Sequence, residues 1–177
     1  MRRLSILVAL IASFAIAVPV LAAPPNRLLT FGTGVATVTS PTSATLVNAA
    51  GQYSGVYLNS RSQSGKPLQA VSFSFDYSGS TAGGAPRFSI PIDTDGNGSV
   101  DGYAFIDALN CGGTTPTGVG TVSTELSNCM VFFGPDSYAN WDAFAAANPD
   151  YRIAPGSIPF IIADQEGNYS ITNIDLR

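Results

Sequence analysis

The chain has no histidine. That absence removes the Ser-His-Asp and Cys-His nucleophile systems and any histidine-ligated zinc centre. Charge is also scarce, since only 11% of residues are Asp, Glu, Lys or Arg and Lys66 is the single lysine. Glutamate, the usual acid of glycosidase pairs, occurs twice, at Glu125 and Glu166. There is no Gly-rich phosphate loop and no C-x-x-C pair. With net charge −4 over the full sequence, nothing forms the basic footprint that nucleic acid or an anionic membrane requires.

Long apolar runs are absent too, except at the start. Arg2 and Arg3 precede an apolar stretch over 4–18, followed by Pro19 and the small pair Ala22-Ala23. This layout predicts a secretory signal peptide over 1–22 with cleavage after Ala22; a retained anchor is the competing reading. Cleavage leaves six basic against twelve acidic residues, and a single domain over 23–177 long enough to bury a core. The expected location is secreted, extracellular or periplasmic, with no membrane association once the signal is removed. In such a compartment Cys111 and Cys129 read as one disulfide, worth about 3 kcal/mol on a chain-entropy estimate. Two free thiols, or a redox pair, are the alternative.

What is present is β-sequence. Val71, Phe73, Phe75 and Tyr77 alternate with Ser72, Ser74 and Asp76, the period of a half-buried strand. Phe88, Ile90 and Ile92 alternate with Arg87, Ser89 and Pro91, and Tyr103-Ala104-Phe105-Ile106 follows after an acidic connection. Further strands are expected over 35–39, 44–48, 53–59, 119–123, 130–133 and 159–163, punctuated by Gly, Pro, Ser and Asn. The reading is all-β, an antiparallel β-sandwich of jelly-roll type. One helix is expected near 137–148, capped by Ser137, with Tyr138, Trp141, Phe144 and Ala145 on one face. Trp141 then packs inward, or else stands exposed as a sugar-stacking platform.

The acidic connection is the densest chemical signal. Asp93-Thr94-Asp95-Gly96-Asn97-Gly98-Ser99-Val100-Asp101 places oxygens at every second position of a glycine-containing loop, a pattern that suits calcium with its six to eight oxygen ligands. It is similar to the Asp-rich calcium loops of dockerins and thrombospondin type 3 repeats. That resemblance implies ligands from Asp93, Asp95, Asn97, the Ser99 carbonyl and Asp101, with Gly98 at the sharp turn. It departs at the twelfth position, where Ala104 replaces the bidentate Glu, and in its flanks, which are strands. The remaining oxygens would come from water, Asp107 or another loop. A metal-free polar hairpin turn is the competing reading.

At the C-terminus, Tyr169 and Ile171 share one parity and Ile174 and Leu176 the other, which predicts a bulge near Thr172-Asn173. A last strand of the form Tyr-x-Ile-x-Asn-Ile-Asp-Leu resembles that of jelly-roll carbohydrate-binding modules. The resemblance implies two antiparallel sheets, a structural calcium and glycan or cell-surface polysaccharide as partner. Candidate sugar contacts are Tyr53, Tyr57 and Tyr103; Tyr53 and Tyr57 share a parity, so they face one side, unless that side is the core. The expected function is non-catalytic, calcium-stabilised carbohydrate binding. The alternatives are a structural or adhesive protein that recruits strands at a sheet edge, and a small glycosidase using carboxylates such as Asp107, Asp136, Asp142 or Asp164.

Overall fold

The computed structural model describes residues 27–59 and 61–177; the expected signal peptide lies outside them. In chain order the strands are β1 (Arg27–Gly32), β2 (Val35–Ser40), β3 (Ser43–Asn48), β4 (Ser54–Asn59), β5 (Phe73–Ser80), β6 (Arg87–Asp93), β7 (Gly102–Asp107), β8 (Thr117–Ser123), β9 (Val131–Phe133), β10 (Asp136–Tyr138), β11 (Arg152–Ile153), β12 (Phe160–Ala163) and β13 (Gly167–Leu176), with one α-helix among the described residues, α1 (Trp141–Ala147). They form two antiparallel sheets. The larger runs β1-β4-β12-β6-β7-β9-β10, with β11 also on β6, and the smaller runs β2-β3-β13-β5-β8. The expected all-β sandwich is the observed architecture.

Alternation decides which side of each strand is buried. Val56 and Leu58 of β4, Phe88, Ile90 and Ile92 of β6, Ala104 and Ile106 of β7, and Ile161 of β12 are all fully buried. They meet Leu46, Phe73, Phe75, Val122, Tyr169 and Ile171 of the small sheet in one core. At its centre the Phe88 ring lies edge-on to Phe75 at 4.7 Å and to Phe73 at 5.9 Å, an arrangement that aromatic quadrupoles favour.

Proline in a central strand needs a reason, and Pro91 has one. β6 pairs with β12 over Arg87 to Ser89 and with β11 over Ile92 and Asp93. The Pro91 carbonyl accepts from Ala154 N–H on that side, so the missing donor falls in the gap between the two partners, where no ladder bond is lost.

β13 carries the expected bulge. Its register on β5 shifts between Thr172 and Asp175, and Asn173 takes a left-handed φ of 52°. The extra residue lets Tyr169, Ile171 and Ile174 all be buried, and Asn173 Nδ2 donates to Asp76 Oδ2 at 2.8 Å.

The helix differs from expectation. It spans only Trp141–Ala147 and is capped by Asn140, whose side chain accepts from Ala143 N–H. Ser137 instead lies in β10 opposite Phe132, because the chain reverses directly after β9 at Gly134 (φ 58°). Trp141 is 3% exposed and its Nε1–H donates to the Leu68 carbonyl at 3.0 Å, so it packs inward. β1, β10 and β11 have no counterpart among the expected strands.

Cys111 and Cys129 form a disulfide, which ties the turn after β7 to the entry of β9. Replacing both cysteines by serine is expected to lower unfolding stability by about 3 kcal/mol, read as a lower urea midpoint. An unchanged midpoint would contradict this role.

Candidate metal loop and aromatic face

The β6–β7 hairpin ends in the acidic loop. Asp93 closes β6, is 1% exposed, and accepts from Gly96 N–H at 2.8 Å and Gly98 N–H at 2.9 Å through its two oxygens. Those amides converge because Gly96 and Gly98 adopt left-handed φ values of 76° and 87°, which residues with a Cβ resist. Asp101 Oδ2 accepts from the Thr94 hydroxyl at 2.7 Å and its N–H at 2.8 Å. The hydroxyl first, then the N–H, hold the Asp101 carboxyl below the ordinary aspartate range.

The fold brings Asp93, Asp95 and Asp101 together, with one carboxylate oxygen from each within 4.8 Å of the others. Two oxygens on opposite sides of one calcium lie about 4.6–5.2 Å apart, at roughly 2.3–2.6 Å each, so the three could share a single ion. Asn97 bonds within the loop, its Nδ2 donating to Asp95 and its Oδ1 accepting from Ser99 N–H. Asp107 is no partner here. It pairs in register with Arg87 at the far end of the hairpin, about 17 Å of strand away, and accepts from the Asn110 backbone and side chain.

The three tyrosines separate. Tyr57 points away from the core, 37% exposed, while its neighbours Val56 and Leu58 are fully buried. Its ring lies 4.5 Å from Phe31 and 5.8 Å from Phe160, and Tyr103 reaches Phe160 from the other side at 5.6 Å. Phe105 continues the line beside Tyr103, with the Arg87 guanidinium 5.4 Å from its ring centre. The rings thus cross the solvent side of the large sheet from β1 through β4 and β12 to β7. Most meet edge-to-face or tilted, so they form a ridged surface with separate ring faces. Arg87 pairs with Asp164 through two bonds, at 3.0 and 2.6 Å, leaving a polar group at the ridge's flank. Ser89, between Phe160 and Phe105 in register, is fully buried and its hydroxyl has no partner.

Tyr53 does not join this ridge. It precedes β4, is 42% exposed, and is separated from Tyr57 by the Phe31 ring, which lies where a side chain on Gly55 would be. Phe31, Phe105 and Phe160 escaped the sequence reading. The available signal was that β7 and β12 are apolar at both parities, more than one buried face needs.

Two of the four carboxylates considered for catalysis, Asp164 and Asp107, are held by neighbouring side chains, and Asp136 is exposed at the start of β10. Asp164 holds Arg87, Asp107 holds Asn110, and Asp142 sits in the first turn of α1. Glu125 and Asp142 line an open cleft of about 520 Å³, but Glu125 is half exposed and paired with Arg177 at 3.4 Å. No protein-family model, curated protein or solved structure matches this chain, so its own geometry carries the functional reading.

If the loop takes up calcium, free calcium at about a hundred times the dissociation constant is expected to stabilise the protein by about 2.7 kcal/mol. Asp95→Asn, at an exposed position, should lose most of that gain without lowering the metal-free melting temperature. Equal melting in calcium and in chelator would contradict the metal reading.

Proposed function

We propose that this is a secreted, non-catalytic carbohydrate-binding module whose ligand surface is the aromatic ridge of the large sheet. The observation that carries the reading is the half-exposed line Phe31, Tyr57, Phe160, Tyr103 and Phe105 on the solvent side of a sandwich whose core lies opposite. Pyranose rings present C–H faces that lie against aromatic rings, while tyrosine hydroxyls and the Arg87–Asp164 pair offer hydrogen bonds to sugar hydroxyls. The expected partner is a glycan or cell-surface polysaccharide. The disulfide is consistent with an oxidising compartment, and among the described residues no helix is long and apolar enough to cross a membrane.

Calcium is the proposed structural cofactor. Asp93, Asp95 and Asp101 would hold it, with Asn97 and the Ser99 carbonyl as the loop's remaining oxygens. Bound there, it would neutralise the clustered carboxylates and stiffen the end of the hairpin that carries Tyr103 and Phe105.

A glycan and polysaccharide array, probed in calcium and in chelator, tests this. Specific binding is expected, and Tyr57→Ala or Phe160→Ala should weaken it about tenfold or more. Signal lost in chelator would tie the loop to the ridge; signal that survives would leave the ridge as the site alone. A blank array in both conditions would overturn the carbohydrate reading in favour of a structural or adhesive role.

A further inference from the structure

The ends of the two sheets are finished differently. The large sheet ends at β1 and at β10, which is three residues long and opened by Asp136. Short strands and charged residues are the usual guards against edge-to-edge pairing. In the small sheet, β2 is uncharged, but its register shifts between Val38 and Ser40. β8 has no such guard. Its sequence, Thr117-Gly118-Val119-Gly120-Thr121-Val122-Ser123, contains neither charge nor proline, and it pairs with β5 without a break from Ser123 to Thr117.

The free groups of β8 can be assigned. Thr124 N–H donates to the Phe73 carbonyl of β5. Main-chain groups alternate in direction along an antiparallel strand, so Gly118, Gly120 and Val122 turn theirs to β5. Thr117, Val119 and Thr121 turn theirs outward, where β8 is the last strand of its sheet. The Thr117 carbonyl accepts from the Thr114 hydroxyl, with a second lone pair left over. Val119 is 84% exposed, the most exposed large apolar residue among those described.

The occupant is encoded in the strand. Thr117-Gly118-Val119-Gly120-Thr121 reads the same in both directions. An antiparallel partner with the identical sequence, related by a two-fold axis at Val119, sets Val119 against Val119 and Thr117 against Thr121, with glycine opposite glycine between them. Threonine–threonine pairs are favourable across strands, and a two-fold interface is by far the commonest route to an oligomer. The outward residues at the pairing edge carry no charge to oppose it.

We infer that β8 is a self-recognition edge, through which two copies of this chain pair antiparallel about Val119 to make one continuous ten-stranded sheet. This edge belongs to the sheet that does not carry the aromatic ridge, and the inference does not depend on carbohydrate binding.

Sedimentation equilibrium on the purified mature protein, from about 10 µM to about 1 mM, reads the association directly. Wild type is expected to dimerise within this range. Val119→Lys, which puts two like charges opposite each other, should raise the dissociation constant at least about tenfold. Val35→Lys makes the same charge change at the 61%-exposed Val35 of the opposite edge and should leave the dimer intact. Both sites are exposed enough that circular dichroism melts should confirm folded variants. A wild type that stays monomeric throughout would overturn the inference. So would a dimer that Val119→Lys leaves unchanged, or one that Val35→Lys dissociates instead.

Discussion

The aromatic ridge on the large sheet depends on one packing contact inside the sandwich. Phe88 of the large sheet is lodged against Phe73 and Phe75 of the small one, and with Ile90 and Ile92 it commits the even-numbered side of β6 to the core. Slipping a strand by one residue would exchange its two faces. Because β12 and β7 flank β6 in fixed register, the choice made at Phe88 also decides that Phe160, Tyr103 and Phe105 point outward. The solvent-side ridge is thus a consequence of how the core is packed.

The same hairpin links the two candidate features. β6 and β7 carry the Asp93–Asp101 loop at one end and two of the ridge's rings along β7. Fixing the loop fixes the hairpin's register at Gly102 and hence the position of Tyr103 next to it. An ion held by the loop would in this way influence the aromatic ridge without touching it. Gly96 and Gly98 matter here, since their left-handed backbone aims two amides at the buried Asp93 carboxylate.

Local pattern was legible where one face of a strand is polar. The alternation through Phe73, Phe75 and Tyr77 gave β5, and the parity switch after Ile171 gave the bulge at Asn173, because both are read within a few residues. The ridge was hidden because its rings are distant in sequence. Phe31 meets Phe160 only once β1, β4 and β12 are placed side by side, a matter of topology. Apolar residues at both parities in β7 and β12 leave no period to mark an outward aromatic. Tyr53 and Tyr57 share a parity, yet the Phe31 ring comes between them, which spacing alone could not reveal. The helix start was misplaced from Asn140 to Ser137 because both residues are good caps, and only the tight return after β9 assigns Ser137 to a strand.

The central claim is that the aromatic ridge is a ligand-binding surface. Backbone and aromatic-ring NMR shifts, followed in calcium while the oligosaccharides of the glycan array are titrated in turn, test it most directly. The account predicts saturable shifts concentrated at Phe31, Tyr57, Tyr103, Phe105 and Phe160, with Tyr53 and the buried Trp141 unmoved. Shifts centred on the cleft around Glu125 and Asp142, or none at all, would contradict it.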